Sequence, residues 1–184
     1  MTKVGVFLAD GFEEIEGLTA VDAMRRAGYQ VTTISIMEKT LINGSHGIRV
    51  YADCSFDDAE FDSYDCIILP GGLRGTQNLA AHEGVCAKVK EFVDAGRVVG
   101  AICAAPTVLA AAGVLSGKHA TCYPGCEAQF PDDVIYTGAQ VEQEDRIITG
   151  NGMAAALPFA LAVIREVSGE EDVVKVKNGV AYPN

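Results

Sequence analysis

Cys103 is the residue whose position in the chain is best suited to nucleophilic chemistry. It ends an apolar run over residues 98–102, and Ala104, Ala105 and Pro106 follow it directly. A strand, a tight turn and a helix start would hold its side chain out at the carboxyl edge of a sheet. The helix dipole and its unpaired N–H groups would favour the thiolate. A buried and inert thiol is the alternative, because free cysteines usually behave as small hydrophobic side chains.

Three glutamates follow the first apolar run of the chain. Glu13 and Glu14 are expected to be solvated residues of a helical first turn, stabilised by the helix dipole. Glu16 begins an otherwise apolar helix face, and in a partly dry pocket beside a thiolate its protonated form would be favoured. A neutral carboxylic acid there could donate a hydrogen bond to sulfur and later move protons. One more exposed helix glutamate is the alternative.

A Pro-Gly-Gly segment ends another apolar run. Gly71 and Gly72 would let the backbone approach a substrate closely and turn its N–H groups inward. Together with the N–H of Ala104, they could form an oxyanion hole for a carbonyl that Cys103 attacks. A plain turn at the end of a strand is the alternative.

The hydrophobic pattern predicts the elements that position these groups. Strands are predicted at residues 3–8, 30–37, 66–69, 98–102, 118–123, 134–136, 139–142 and 146–149, and a hairpin joins 40–42 to 48–51. Helices are predicted at residues 15–28, 82–96, 105–112 and 153–167, with a helical turn at 172–176. This alternation indicates one α/β domain over residues 1–184, a doubly wound, mostly parallel sheet with helices on both faces.

Four segments are expected to meet at one rim of this sheet. Ligands bind outside the carboxyl ends of parallel strands in such folds. The segments that follow these ends are residues 10–16, residues 70–72, Cys103, and the pair Tyr123 and Pro124. We expect a single site there.

Composition excludes several classes of function. The net charge is −11 and the sequence pI is about 4.6, so neither nucleic acid nor an anionic membrane is expected as a partner. The first residues lack a secretory signal pattern, which indicates the cytoplasm.

The six cysteines form no C-x-x-C pair and no zinc-like spacing with the three histidines, so free thiols and no metal are expected. No glycine-rich nucleotide-binding turn follows the first strand.

Four segments together resemble the ThiJ/PfpI family: residues 8–16, 21–28, 69–72 and 101–106. The resemblance implies a flavodoxin-like sandwich of the class I glutamine amidotransferase-like kind, usually a homodimer. It also implies an elbow cysteine beside a protonated glutamate, which map onto Cys103 and Glu16. The oxyanion donors map onto Gly72, with Gly71 as a neighbour, and onto Ala104.

The chain departs from the family pattern at two positions. Peptidase-like members carry a histidine directly after the cysteine, where this chain has Ala104, which argues against a Cys-His protease. One branch has a histidine in a Thr-His-Pro context, where this chain has Tyr123. Tyrosine can donate or accept a hydrogen bond but is a poor base near neutral pH. His46 could approach the site from another side, including across a dimer interface.

The resemblance implies small reactive aldehydes or glycated compounds as substrates, with no cofactor. In this hypothesis, the Cys103 thiolate adds to methylglyoxal or glyoxal, Glu16 moves a proton, and water releases a hydroxy acid such as lactate. The alternative is an oxidative-stress sensor or holdase in which the same cysteine is oxidised to a sulfinate. A hydrolase or peptidase is the third and least favoured alternative.

Overall fold

The computed structural model describes residues 1–183. Within that range it contains a central sheet, two small sheets and six helices. The strands are β1 (Lys3–Leu8), β2 (Gln30–Ser35), β3 (Leu41–Asn43), β4 (Arg49–Tyr51), β5 (Cys54–Ser55), β6 (Cys66–Leu69), β7 (Val98–Ile102), β8 (His119–Ala120), β9 (Ile135–Tyr136), β10 (Val141–Glu144) and β11 (Ile147–Gly150). The helices are α1 (Glu14–Ala27), α2 (Leu73–Ala81), α3 (Glu83–Asp94), α4 (Pro106–Ala111), α5 (Ala156–Ser168) and α6 (Glu170–Gly179).

The central sheet has the strand order β10-β11-β7-β6-β1-β2-β5. All neighbouring strands pair in parallel except β10, which lies antiparallel to β11 at one edge. The fold is thus the predicted doubly wound α/β sheet. Because β2 lies on one side of β1 and β6 on the other, the strand order reverses between β1 and β6, and their carboxyl ends open a crevice in which a ligand can bind.

Two hydrophobic cores cover the two faces of the sheet. Along β1 the side chains alternate between them: Val4, Val6 and Leu8 point into one core and Phe7 into the other. Helices α1, α5 and α6 pack on one another over the first face, and α2, α3 and α4 over the second. Both faces of the sheet are therefore buried, which explains why the strands are continuous apolar runs.

The structure differs from the predicted elements in four places. Strand β5, at the edge of the central sheet, was not predicted. Helix α2 was not predicted either, because its sequence carries Gly75 and several polar residues. The strand predicted at residues 118–123 is reduced to β8, which pairs with β9. Beyond β8, the Thr121 N–H donates to the hydroxyl of Thr149 and the Tyr123 N–H to the Cys103 carbonyl, so the chain leaves the ladder. The predicted last helical turn is the full helix α6.

Candidate active site

The four predicted segments meet in a cleft of about 760 Å³ at the carboxyl ends of the strands. Cys103 and Gly72 form its floor together with the segment after β1, and Tyr123 lies at its rim. The hairpin β3–β4 supplies the opposite wall. The complete lining is Asp10, Gly11, Glu13, Asn43, Gly44, Ser45, His46, Gly72, Leu73, Arg74, Cys103 and Tyr123.

Cys103 occupies a strained turn between β7 and α4. Its φ is 64°, a left-handed conformation that a side chain rarely adopts. The N–H of Cys103 donates to the carbonyl of Gly150 at 2.8 Å, and the N–H of Ala105 donates to Ile102 at 3.0 Å, which fixes the turn. The half-buried side chain therefore projects from the sheet edge into the cleft, as in the nucleophile elbows of hydrolases.

Two backbone N–H groups face the sulfur of Cys103. They belong to Gly72 and Ala104, and both lower the pKa of the thiol. Gly72 needs its positive φ of 87° to present this N–H, and a Cβ at that position would lie 2.3 Å from the carbonyl oxygen of Gly11. The structure thus places the predicted donor pair around the predicted nucleophile.

Glu16 lies beneath the cysteine with only 1% of its surface exposed. Its Oε2 accepts the N–H of Gly71 at 3.0 Å, whereas its buried Oε1 has no hydrogen-bond partner of standard geometry. Burial raises the pKa of the Glu16 carboxyl from 4.5 to about 7, and the charge on Glu13 acts in the same direction. The pKa shift has the predicted direction, and the unpaired Oε1 can carry the proton of the neutral acid.

Cys103 and Glu16 act as one coupled pair. Burial raises the pKa of the Cys103 thiol to about 12, and a negative Glu16 adds to this, outweighing the two N–H donors. From the sequence, the helix dipole predicted a Cys103 thiol that favours its thiolate. That prediction was wrong, because burial of the thiol raises its pKa more than the N–H donors lower it. When Glu16 holds a proton, its repulsion of the thiolate vanishes and only burial still opposes the charge. The site therefore disfavours two negative charges at once.

We expect Glu16→Gln to change how stability depends on pH. A buried carboxyl with a raised pKa binds more protons in the folded protein than in the unfolded chain between about pH 4.5 and pH 7. The free energy of unfolding of the wild type therefore falls as pH rises through that window, by up to about 3 kcal/mol. The glutamine variant lacks this loss. Urea titrations across the window measure it.

Glu83→Gln, at an exposed position of α3, is the control for that experiment and keeps the wild-type pH dependence. Equal slopes for wild type and Glu16→Gln would contradict a buried, proton-binding Glu16.

Glu13 and Glu14 are not solvated, and that prediction was wrong. Glu13 is the N-cap of α1, and its carboxylate accepts the N–H of Glu16 at 2.7 Å. Glu14 is 1% exposed, because the turn of the hairpin β3–β4 folds over it. Its carboxylate accepts the backbone N–H groups of His46 at 2.7 Å and of Ile48 at 3.3 Å. Its partners lie about thirty residues along the chain, so no local pattern could reveal them.

His46 reaches the cleft from within its own chain, through that same turn. Its Nδ1 lies 2.9 Å from Glu14 Oε2 and 3.8 Å from Glu13 Oε1. The hydrogen bond with Glu14 raises the pKa of the exposed imidazole. Burial acts to raise the pKa of Glu14, but the hydrogen bonds from His46 and the backbone lower it to about 2. This pairing adds a side-chain contact to the backbone hydrogen bonds by which Glu14 holds the hairpin wall of the cleft.

The same three side chains could ligate a cation. Their ligand atoms lie within 4.8 Å of one another, although the sequence analysis had named no metal ligand. Glu13 and Glu14 already accept hydrogen bonds from the backbone, and His46 is hydrogen-bonded to Glu14. The trio is thus satisfied by its own contacts.

Comparison with known proteins identifies the family in which this arrangement occurs. The sequence profile of the DJ-1/PfpI family matches residues 2–166. The chain belongs to the DJ-1/PfpI family. It is 36% identical over 180 residues to protein dj-1beta of Drosophila melanogaster, covering 96% of each chain. It is 30% identical over 156 residues to a Pyrococcus abyssi protein named a deglycase, covering 85% of this chain and 90% of that protein.

Solved structures agree with this assignment. Oxidised DJ-1 of Toxoplasma gondii has a TM-score of 0.95 and 33% identity, and the match covers the whole of both chains. Drosophila melanogaster DJ-1beta has a TM-score of 0.95 and 34% identity, covering 100% of this chain and 99% of that one. The predicted resemblance to ThiJ/PfpI proteins is therefore confirmed over nearly the whole chain.

This DJ-1/PfpI chain also has site residues that the sequence analysis did not single out. Leu73 and Arg74 begin α2 and line the cleft directly after Gly72. Arg74 forms no ion pair or side-chain hydrogen bond with any residue in 1–183, so an unpaired cation lines the same cleft as Cys103. Its position after the Pro-Gly-Gly turn was the available signal. Tyr123 lies half exposed at the rim, and His82 and His119 do not line the cleft.

Across residues 1–183 of this DJ-1/PfpI chain, every helix is too short or too polar to cross a lipid bilayer.

Proposed function

We propose that this protein is a cofactor-independent, cysteine-dependent glyoxalase or deglycase that converts methylglyoxal, or its adducts with other molecules, to lactate. The observation that carries the proposal is the buried Glu16 carboxyl beside the elbow thiol of Cys103, with its Oε1 unpaired. Such a pair can add sulfur to an aldehyde and then move a proton on the adduct. The relatives named deglycases support the same chemistry.

The reaction begins with attack of Cys103 sulfur on the aldehyde carbon. The Glu16 carboxylate takes the thiol proton, so that sulfur attacks as the thiolate and Glu16 becomes the neutral acid. Oxygen of the aldehyde develops negative charge and takes hydrogen bonds from the N–H groups of Gly72 and Ala104. Gly71 holds Glu16 in place through its own N–H. A proton from Glu16 completes the hemithioacetal.

The second stage is an isomerisation on the sulfur. Glu16, now a carboxylate, removes the hydrogen of the former aldehyde carbon, and the electrons form an enediolate with its negative charge on the neighbouring oxygen. The hydroxyl proton of the first carbon moves to that oxygen, and Glu16 returns its proton to the neighbouring carbon, which yields a lactate thioester of Cys103. Water then attacks the thioester carbonyl, lactate leaves, and the thiol regains its proton. Each step uses only this chain's residues and water.

Hydrogen-bonding side chains around the cleft also favour small carbonyl compounds. His46, paired with Glu14, and Tyr123 at the rim provide hydrogen bonds for a second carbonyl oxygen. The cleft of about 760 Å³ accepts a small aldehyde or one glycated side chain. We propose His46 and Tyr123 as binding residues.

Purified protein and methylglyoxal test the proposal. The experiment contains a chelator and no glutathione or nucleotide, and lactate is measured by proton NMR. Lactate formation at a rate proportional to protein concentration is the expected result. Absence of lactate would contradict the proposal.

A kinetic comparison separates the glyoxalase from the deglycase. An adduct of methylglyoxal with a thiol or an amine is presented while free methylglyoxal is measured in parallel. A deglycase releases lactate faster than the adduct dissociates by itself. A glyoxalase is limited by that dissociation, so its rate does not rise when more protein is added.

Redox sensing through Cys103 is the second candidate function. It is favoured by the half-buried thiol in a polar cleft, and a similar protein has been solved as an oxidised form. If Cys103 is the sensor, Cys103→Ser prevents thiol loss at peroxide concentrations that oxidise the wild type. Thiol loss that is the same in this variant would exclude it.

A homodimer in the cytoplasm is the proposed state. Four large apolar side chains are exposed at the start of α1 and on the hairpin: Ile15, Leu18, Ile48 and Tyr51. Such a patch is typical of an interface. The six cysteines are free thiols, which agrees with a reducing compartment. Light scattering after size exclusion measures the mass, and a monomer would contradict the dimer.

A further inference from the structure

Arg74 brings an unpaired positive charge to the wall of the cleft. The two carboxylates that line the cleft already have partners, because Asp10 lies 3.3 Å from Lys39 Nζ and Glu13 caps helix α1. The chain has 25 Asp and Glu residues against 14 Lys and Arg residues, so carboxylates are abundant. None of those within residues 1–183 pairs with Arg74, and its guanidinium is therefore available to a ligand.

The base of the Arg74 side chain has a defined place against the segment after β1. A Cβ built on Gly11 would lie 2.6 Å from Arg74 Cβ and 3.0 Å from Arg74 Cγ, so this close approach needs a glycine. The N–H of Gly75 donates to the carbonyl of Gly11 at 3.0 Å and ties the start of α2 to the same segment. The arginine thus begins two residues after Gly72, whose N–H faces the sulfur of Cys103.

His46 is the other side chain of the cleft that can carry a positive charge, and it is already engaged. Its Nδ1 lies 2.9 Å from Glu14 Oε2 and 3.8 Å from Glu13 Oε1, which leaves less of its charge for a ligand. A guanidinium stays charged at physiological pH, and its N–H donors match the two oxygens of a carboxylate. Arg74 is therefore the group of the cleft best suited to an anionic part of a substrate.

We propose that Arg74 is a specificity-determining residue that binds a carboxylate of the substrate while Cys103 attacks a carbonyl carbon of the same molecule. The inference rests on the aldehyde chemistry proposed above and narrows its substrates to methylglyoxal adducts of small thiols and amines that carry a carboxylate. Free methylglyoxal is uncharged and leaves Arg74 unused. The cleft of about 760 Å³ has room for both parts of such an adduct.

Alkylation of Cys103 tests the anion site without any aldehyde turnover. Iodoacetate and iodoacetamide are nearly equal in size, and both alkylate sulfur through their CH₂ carbon with loss of iodide, but only iodoacetate is an anion. Peptide mass spectrometry at low salt and one fixed pH gives the rate of each reagent at Cys103. Arg74→Gln is expected to lower the ratio of the iodoacetate rate to the iodoacetamide rate about fivefold, the effect of one partly exposed ion pair.

The controls separate the position of the charge from its mere presence. Arg74→Lys keeps the charge and is expected to restore most of the ratio. Arg146→Gln removes an exposed positive charge just before β11, at the opposite end of the sheet from the cleft, and should give the wild-type ratio. Cys86, half-buried outside the cleft, is the internal reference in every sample. The anion site is overturned if Arg74→Gln and Arg146→Gln give the same ratio at Cys103.

Two hemithioacetals of methylglyoxal test the substrate class, one made with mercaptopropionate and one with the neutral mercaptopropanol. The wild type is expected to have an about tenfold higher kcat/KM for the carboxylate adduct, because a bound carboxylate accepts two hydrogen bonds from the guanidinium. Arg74→Gln should lose this preference, mainly through KM. Equal kcat/KM for both adducts in the wild type would overturn the substrate class. No lactate from either adduct, with an altered alkylation ratio, would contradict the aldehyde chemistry and leave the anion site standing.

Discussion

Cys103→Ala is expected to reduce the rate of lactate formation from methylglyoxal by at least roughly 1,000-fold. In the proposed mechanism the sulfur forms the covalent adduct on which every later step takes place, and Glu16 cannot replace it as a nucleophile. The fold should survive, because alanine fits the small space of the elbow and the backbone hydrogen bonds of Cys103 remain. Initial rates by NMR and a thermal melt measure the two effects together.

Cys86→Ala controls for the loss of a thiol as such. Cys86 lies half-buried on α3, outside the cleft, and its replacement should leave the rate unchanged. Lactate formation that persists in Cys103→Ala would move the chemistry to another group and end the proposed mechanism.

Gly71→Ala is expected to lower the same activity by at least about 100-fold, because displacements near 1 Å in an active site have effects of that size. A Cβ at this position would lie 2.4 Å from Cys103 Cβ, 2.6 Å from Glu16 Oε2 and 2.8 Å from the Ile102 carbonyl oxygen. The carboxylate could move aside, but the elbow backbone could not. We therefore expect a displaced nucleophile and a loss of about 1–3 kcal/mol of stability from overpacking.

Gly179→Ala is the matched control. Like Gly71, Gly179 has no positive φ, but a Cβ there would meet no atom within 4 Å. Its replacement should keep the full rate and leave the stability equal or slightly higher. Wild-type activity in Gly71→Ala would mean that the elbow and Glu16 need not lie where the structure has them.

Local patterns were sufficient where an element carries its own signals. Helix α1 has a regular apolar face and ends at Gly28, whose φ is 98°, so both the helix and its end could be predicted. The turn at Cys103 is similarly marked by its small neighbours. The rim of the sheet then followed from the topology, because parallel strands end together.

Long-range packing decided what the sequence analysis missed. Helix α2 contains Gly75, which weakens a helix, yet a Cβ there would lie 2.7 Å from Cα of Phe12. The glycine is needed for close packing against the segment after β1, and that contact stabilises the helix. Burial of Glu14 and the raised pKa of Cys103 likewise depend on neighbours far along the chain. Sequence patterns predicted which residues meet at the cleft better than they predicted the electrostatics of those residues.

The carboxylate of Glu14 makes one wall of the cleft replaceable. It binds the backbone N–H groups of His46 and Ile48, which almost any residue at those positions would offer. The turn can therefore exchange its side chains while its path over the site is preserved. Nucleophile, acid and donors belong to other segments and would be untouched. Libraries confined to residues 45, 46 and 48, which keep Gly47 with its φ of 81°, are thus a direct way to alter which carbonyl compounds the cleft accepts.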